Sequence, residues 1–257
     1  TQSIDMGDGN DLIGLGIGMT LDNGVIIQGG LGNNRLVLTG GTAVQSQIFS
    51  NEVKNVQILT KESLGTWELG RDYTFATQVD VEQGHLKLAK NVILTTSNLN
   101  ISFAAAAQDA VFSGFGQVKG NVNIDNKGIL RPGNGVEGTL KVDGNVAVKS
   151  GAKIEVGVGP GVVQSKLDIT GNLNLNGNGT LQVSVAPGLY KATTRYDVIT
   201  LGGTRAGEFG TVNLPTGTRF TKFKVNYLPK AVQVEVEKLN YNTVGKTYNQ
   251  REAGDGL

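Results

Sequence analysis

The 257-residue chain contains no cysteine, one histidine and one tryptophan, and each shortage excludes a class of site. Without cysteine there are no disulfides, thiolate zinc sites or cysteine nucleophiles. A Ser-His-Asp triad would need His85, which lies in a strand-like phrase, so a core or surface histidine is the favoured interpretation. No run of about 18 apolar residues is present, so no segment of the sequence is long enough to span a membrane as a helix.

The net charge and the positions of the carboxylates argue against nucleic-acid binding and against catalysis by paired carboxylates. The 23 Lys and Arg residues and 22 Asp and Glu residues leave a formal charge of +1, which gives no basic field for nucleic acid. Carboxylates are scattered, and close pairs such as Asp8/Asp11 and Glu235/Glu237 lie near the ends. There is no phosphate-cradling Gly-x-x-x-x-Gly-Lys-Ser/Thr motif. We therefore predict a protein that is not an enzyme, with no cofactor, no metal and no catalytic residue.

What the chain has instead is glycine, 38 residues in all, and an internal repeat. Residues 120–124 (GNVNI), 144–148 (GNVAV) and 171–175 (GNLNL) are copies of one phrase. A second phrase occurs at residues 128–130, 138–142 and 179–183. Each copy gives a glycine followed by alternating apolar residues, which indicates a corner and then a half-buried strand. The predicted structural positions are Gly120, Asn121, Gly144, Asn145, Gly171, Asn172, Gly138, Gly179 and Pro132.

Such turn-strand units build either a stacked parallel β-helix or an antiparallel sandwich. Hairpins turn within two to five residues, whereas these copies recur at the length of a solenoid coil, so the β-helix is favoured. Asn121, Asn145 and Asn172 would then stack at roughly 4.8 Å as an amide ladder at one corner. The alternative is that Gly-Asn is simply a common turn pair.

Two glycine-rich phrases near the N-terminus resemble the nonapeptide of calcium-binding β-rolls. They are residues 7–13 (GDGNDLI) and 29–36 (GGLGNNRL), which align at a shift of 23 positions. The second has Asn34 where the calcium motif has aspartate, and neutral amides hold calcium weakly. We therefore expect glycine-rich corners of the solenoid and no ion site.

Outside the repeats, the sequence predicts further strands, a core tryptophan, one interruption and a C-terminal hairpin. Short strands are predicted at residues 35–39, 53–60, 65–70, 78–82 and 84–88. Trp67 is expected in the core, because a large aromatic side chain contributes most when buried. Residues 104–107 (AAAA) suggest an interruption extruded from a corner. Residues 219–227 and 231–237 flank a Leu-Pro-Lys turn and predict an antiparallel hairpin that caps the solenoid.

Several of these stretches resemble bacterial autotransporters, the type V secreted outer-membrane proteins. Residues 128–145 (GILRPGNGVEGTLKVDGN) resemble the autochaperone region, and residues 65–69 with 84–88 resemble the passenger-associated transport repeat. Residues 196–201 and 207–210 resemble the end of the passenger. Residues 247–253 (TYNQREA) resemble the segment leading into the translocator barrel, although the family more often has proline where Tyr248 stands. The barrel itself is not in this sequence.

The resemblance implies an all-β, right-handed parallel β-helix, exported through the periplasm and outer membrane to the cell surface or beyond. It divides the chain into passenger coils (1–118), an autochaperone segment with its cap (119–240) and the start of a linker (241–257). The implied function is a surface stalk or adhesin-type virulence factor that assists its own folding. The implied partners are a host-cell surface or matrix component or other bacterial cells, and the chain's own C-terminal barrel.

Two alternatives stay open: a carbohydrate-active β-helix enzyme, or an inert stalk for an effector domain outside this sequence. Thr1 stands within a strand-turn pattern and no signal sequence precedes it, so we expect the chain to be part of a longer one. We expect residues 241–257 to lack stable structure without a barrel to pack on. We also expect Gly120 to Lys238 to form the most stable unit and to template the coils before it.

Overall fold

A computed structural model describes residues 2–22, 24–102, 109–188, 190, 193–217 and 221–239. Within these residues the chain is all-β and forms a parallel β-solenoid of about 7 turns, which confirms the predicted all-β parallel β-helix. The predictions for residues 104–107 and 241–257 lie outside the described residues.

The strands are short because glycine- and asparagine-rich corners end them. In the first half they are β1 (Ser3–Asp5), β2 (Leu12–Gly16), β3 (Ile26–Gln28), β4 (Arg35–Thr39), β5 (Ser46–Phe49), β6 (Glu52–Lys54), β7 (Ile58–Lys61), β8 (Thr66–Leu69), β9 (Tyr73–Val81), β10 (Gly84–Leu88), β11 (Ile93–Ile101), β12 (Ala110–Gly114) and β13 (Gln117–Ile124). In the second half they are β14 (Gly128–Pro132), β15 (Gly138–Asp143), β16 (Val146–Val148), β17 (Lys153–Gly159), β18 (Val163–Ile169), β19 (Leu173–Asn174), β20 (Thr180–Val185), β21 (Thr194–Leu201), β22 (Arg205–Ala206), β23 (Thr211–Asn213), β24 (Thr221–Leu228) and β25 (Ala231–Lys238), with a 3₁₀ turn at Pro160–Val162.

Parallel pairing from one coil to the next builds long faces. One face runs β2-β4-β7-β9-β11-β13-β15-β18-β21, and a second runs β5-β8-β10-β12-β14-β17-β20-β23. Strands β13, β16, β19 and β22 form a further row, and β1, β3 and β6 a small separate sheet. The predicted boundary between residues 118 and 119 falls within β13, and the domain division stays a prediction.

The core is a set of ladders in which one apolar side chain lies above the next. One ladder consists of Leu36, Leu59, Val79, Leu99, Val122, Val146 and Leu173 in register. Each of them is at most 1% exposed. Full burial of one such side chain stabilises the fold by about 1.5–3 kcal/mol, so the interior of every coil depends on the coils on either side.

An aromatic cluster fills the core of the early coils. The Phe49 and Tyr73 rings stack with centroids 5.3 Å apart, and Trp67 meets Phe49 edge-on at 6.5 Å. Trp67 is 1% exposed and its indole N–H donates to the Thr39 carbonyl at 3.0 Å. This confirms the prediction that Trp67 is a core residue.

An antiparallel hairpin covers the C-terminal coil, as predicted. Strands β24 and β25 pair with each other, and β25 pairs antiparallel with β21. The Glu235 carboxylate lies between the strands, with the Arg195 Nε at 2.7 Å and the Lys224 Nζ at 3.2 Å. The adjacent Arg195 guanidinium holds the pKa of Glu235 below its usual value. A charged clasp therefore joins the cap to the last coil.

Two of the predicted strands have different bounds. The expected strand at residues 53–60 is divided into β6 and β7 at Asn55, which has a φ of 53° and turns the chain. The expected strand at residues 78–82 is the second half of the longer β9. In the first case the corner is set by the positive φ of Asn55, and in the second the strand simply continues further toward the N-terminus than the turn pattern indicated.

Candidate functional site: the outward face of the solenoid

The three Gly-Asn phrases stack one above another at a single corner. The Asn121 Oδ1 accepts bonds from the Asn145 backbone N–H at 3.0 Å and from its Nδ2 at 3.2 Å. The Asn145 Oδ1 accepts from the Asn172 N–H at 2.9 Å, and the Asn172 Oδ1 from the Thr204 N–H at 2.8 Å. Each side chain therefore satisfies a backbone donor of the following coil, where a corner leaves the sheet ladder incomplete.

The glycines of these phrases are needed mainly for close stacking. Of the three, only Gly120 has a positive φ, of 144°. A Cβ at Gly144 would lie 2.2 Å from the Gly120 carbonyl oxygen, and one at Gly171 would lie 2.4 Å from that of Gly144. A corner glycine is often needed for its positive φ, but Gly144 and Gly171 are not in that conformation. No side chain fits between these backbones.

The second phrase is distributed over two faces. Leu130 and Leu181 are in register with Ile154 between them, whereas Leu140 pairs with Leu167 on the other face. Pro132 is buried at the end of β14 and lies beyond the residues that are in register with β12 and β17, a position where a missing N–H is tolerated. A Cβ at Gly179 would lie 2.4 Å from a Val148 methyl group. These positions serve packing and chain direction, and none of them joins a cluster of reactive groups among the residues described.

The two calcium-like phrases also stack with the predicted shift of 23 residues. The Asn10 Oδ1 accepts from the Asn33 N–H at 2.8 Å, and the Asn34 Oδ1 accepts from the Asp11 N–H at 2.9 Å. Asn34 is fully buried and its own N–H donates to Gln57 at 2.7 Å. The side-chain oxygens of Asn10 and Asn34 thus form hydrogen bonds between adjacent coils. Within the described part of the chain, no three His, Cys, Asp or Glu side chains come together as a metal site.

His85 lies beside a serine, which sequence reasoning did not foresee. Its Nε2 is 2.7 Å from the Oγ of Ser113, a residue that is 2% exposed. Burial, followed by the charges of Arg131, Lys87 and Lys61, lowers the pKa of His85 to about 3. An imidazole with so low a pKa is a weak base at neutral pH, and the buried hydroxyl is closed to a substrate. The pair therefore has the composition of a catalytic dyad without its chemistry.

Lys61 is a fully buried lysine that no motif indicated. Its ammonium donates to the backbone carbonyls of Glu62, Ser63 and Gln83 at 2.7, 2.8 and 3.0 Å. Burial lowers the pKa of Lys61 to about 8, with the nearby Glu62 carboxylate acting in the opposite direction. Its position suits a structural role at a corner where three carbonyls converge.

An open groove of about 570 Å³ crosses three successive coils on the outward face. The lining residues are Lys90, Asn91 and Ile93 of one coil, Phe115, Gly116 and Gln117 of the next, and Glu137, Gly138, Thr139 and Lys141 of the third. Phe115 is half-buried, and a Cβ on Gly138 would lie 2.4 Å from its ring carbons, so the glycine backbone packs against the ring. The signal in the sequence was an aromatic residue between two glycines, Gly114 and Gly116, in a chain with few aromatics.

No helix in the part of the chain that the structure describes is long and apolar enough to cross a bilayer. Comparison of the sequence with protein-family models gave no match. Comparison with curated proteins likewise gave no match.

Proposed function

We propose that this chain is part of an autotransporter passenger, displayed at the bacterial cell surface as a stalk with an adhesin-type role. Its C-terminal part assists the folding of the passenger. The observation that supports this best is the hairpin of β24 and β25, which pairs antiparallel with β21 and covers the end of the solenoid. An uncovered last coil would present unpaired backbone to other chains, so a capped end suits a protein that folds outside the cell without assistance.

Contacts between the cap and the coils support the folding role. The Arg205 guanidinium lies over the Tyr227 ring, 4.9 Å from its centroid, and the Tyr227 hydroxyl accepts from the Phe209 N–H at 3.3 Å. Together with the Glu235 clasp, these contacts fix β24 on the final coils. A fixed terminal coil offers an ordered edge on which the preceding coil can form, as expected for a one-dimensional stack.

We prefer a binding or structural role to catalysis because of the surroundings of His85 and Ser113, the pair that most resembles a catalytic dyad. They make the imidazole a weak base and bury the hydroxyl group. Among the described residues, the charged groups that shift the pKa of His85 are the cations Arg131, Lys87 and Lys61, and they disfavour the imidazolium that a general base must become. The expected partners are a host-cell surface or matrix component or other bacterial cells, and the barrel of the same protein.

Surface display is tested on intact cells of the source organism. An antibody against residues 109–188 should label unbroken cells, and externally added protease should remove the signal while a periplasmic marker stays intact. A signal that arises only after lysis would contradict the proposal.

The folding role is tested in the same cells with two matched substitutions. Val234→Asp places a carboxylate at a fully buried position of the cap, whereas Val44→Asp makes the same change at a residue that is 93% exposed. Val234→Asp should leave the displayed coils sensitive to protease, and Val44→Asp should not. Equal resistance of the two variants would argue against the cap as a folding element.

A further inference from the structure

Phe115 is an aromatic side chain that the core does not use. It is half-buried and lies in the corner between β12 and β13, outside the set of residues that form or contact the hydrophobic core. Glycine backbone at Gly138 packs against the ring. Partly exposed aromatics that are held in place offer a rigid apolar surface to a ligand, at little cost in conformational entropy.

Around Phe115 the groove follows the solenoid axis. Ile93, Gln117 and Lys141 are in parallel register on three successive strands, β11, β13 and β15. Strands of adjacent coils are separated by roughly 4.8 Å, so this row extends over about 10 Å. A groove of this length, with one aromatic platform and the polar side chains of Gln117 and Lys141 one coil apart, suits an extended ligand.

The charges of the groove favour a negatively charged ligand. Lys90 and Lys141 are exposed, and neither forms an ion pair with a carboxylate among the residues described. By contrast, Lys87 and Arg131 on the neighbouring face are paired with Glu68 and Glu155. Glu137 is the one carboxylate among the described lining residues, and its oxygens can accept bonds from hydroxyl groups.

We propose that this groove binds an anionic oligosaccharide lying along the solenoid axis. The C–H face of one sugar ring packs on Phe115, its hydroxyl groups bond to Gln117 and Glu137, and carboxylate or sulfate groups meet Lys90 and Lys141. Pockets for such ligands combine an aromatic surface with a few well-placed polar groups, as this one does. The inference deepens the adhesin-type role and rests on it for its biological meaning.

Binding is measured by calorimetric titration of the purified chain, which does not depend on display at a cell surface. The probes are a heparin-derived hexasaccharide, a galacturonate hexamer and neutral cellohexaose. At least one anionic hexamer should bind, its affinity should fall as salt is raised, and cellohexaose should bind more weakly or not at all. The two anionic probes distinguish recognition of sulfate from recognition of carboxylate.

Variants then assign the binding to the groove. Phe115→Ala should weaken binding by about threefold to tenfold, as expected for loss of one aromatic contact. Lys90→Ala and Lys141→Ala should each weaken it by up to about fivefold and reduce its salt dependence. Lys222→Ala removes the same charge from an exposed position on the cap and is the matched control. Amide hydrogen exchange verifies that Phe115→Ala keeps its fold, and Phe115→Tyr, which keeps the platform, should restore binding.

Three results would overturn the proposal. They are no binding of either anionic hexamer, equal binding of cellohexaose, and equal losses in Phe115→Ala and Lys222→Ala. A fourth result would also overturn it. If a hexaglutamate peptide bound as tightly as the anionic hexasaccharides, the groove would attract negative charge without recognising carbohydrate. Each result is independent of where the cell places the protein, so it leaves the test of surface display unaffected.

Discussion

Replacing Val146 by aspartate tests whether the C-terminal half of the solenoid carries the coils before it. Val146 is 1% exposed and lies in register between Val122 and Leu173, both fully buried. Its side chain therefore has apolar neighbours in the coil on each side and no polar partner within the ladder. An aspartate there must stay buried without a partner, and a buried charge left unpaired costs about 3–5 kcal/mol.

That cost is large relative to the stability of an ordinary domain, roughly 5–15 kcal/mol. In a stack of coils it is concentrated at one interface, because each coil gains its stability from its nearest neighbours. If order spreads from the cap, then a break at Val146 should separate the cap from the first half. The variant should lose hydrogen-exchange protection in its own coil and also across residues 24–102. Leu173→Asp should have the same effect.

Two controls make the measurement decisive. Val136→Asp is the same substitution in the same half at a residue that is 47% exposed, and it should change stability by less than about 0.5 kcal/mol. Val37→Asp, at a residue that is 7% exposed, should loosen only the first coils. The assay is hydrogen exchange with mass spectrometry, supported by limited proteolysis.

The aromatic cluster of Phe49, Trp67 and Tyr73 is a physical argument for the opposite result, in which the first half of the chain is the more stable one. Large aromatic side chains bury more area than the valines and leucines of the second half, and these rings also stack on each other. If residues 1–110 formed the resistant core and Gly120 to Lys238 were cleaved first, the templating hypothesis would be wrong.

The length of one coil could be predicted from the sequence because a short phrase recurs once per coil. Gly-Asn followed by alternating apolar residues recurs at coil length, and stacking of the copies brings every Asn side chain to the backbone of its neighbour. The hairpin cap was equally accessible, since two alternating strands around Leu-Pro-Lys need only local pairing. Features whose pairing partners lie close together in the sequence, such as this hairpin, can therefore be predicted from the sequence.

What could not be predicted depends on contacts between distant coils. Gly144 and Gly171 look like turn residues, but their lack of a Cβ serves the approach of another backbone. Lys61 gives no sequence signal, because the carbonyls that it meets are brought together only by the corner. The groove beside Phe115 is likewise made by three coils, so no single stretch of sequence contains it.

Three further predictions concern single side chains. Because the pKa of His85 falls from an unfolded value near 6.5 to about 3 on folding, its contribution to stability is intact above about pH 6.5 and is lost as the pH falls toward 3. Urea titrations should therefore show a loss of stability that approaches about 1.4 kcal/mol per pH unit between pH 5.5 and 4 and that His85→Gln abolishes, and equal slopes for the two proteins would refute a neutral imidazole in the folded state. Glu235→Gln should reduce hydrogen-exchange protection of β24 and β25, because the Arg195 and Lys224 contacts lose their charge partner, while Glu237→Gln should not. The effect should vanish at acidic pH, since a carboxyl whose pKa is lowered by folding stabilises the native state only above that pKa. Asn145→Ala should cost about 1 kcal/mol, because the Asn172 N–H loses its acceptor and the Asn121 Oδ1 loses a donor at a corner that water reaches. Asn145→Asp keeps the acceptor and lacks only the donor, so its stability should lie between those of the wild type and Asn145→Ala. If the two variants were equally stable in urea titration, the ladder would be a geometric coincidence of stacked turns rather than a source of stability.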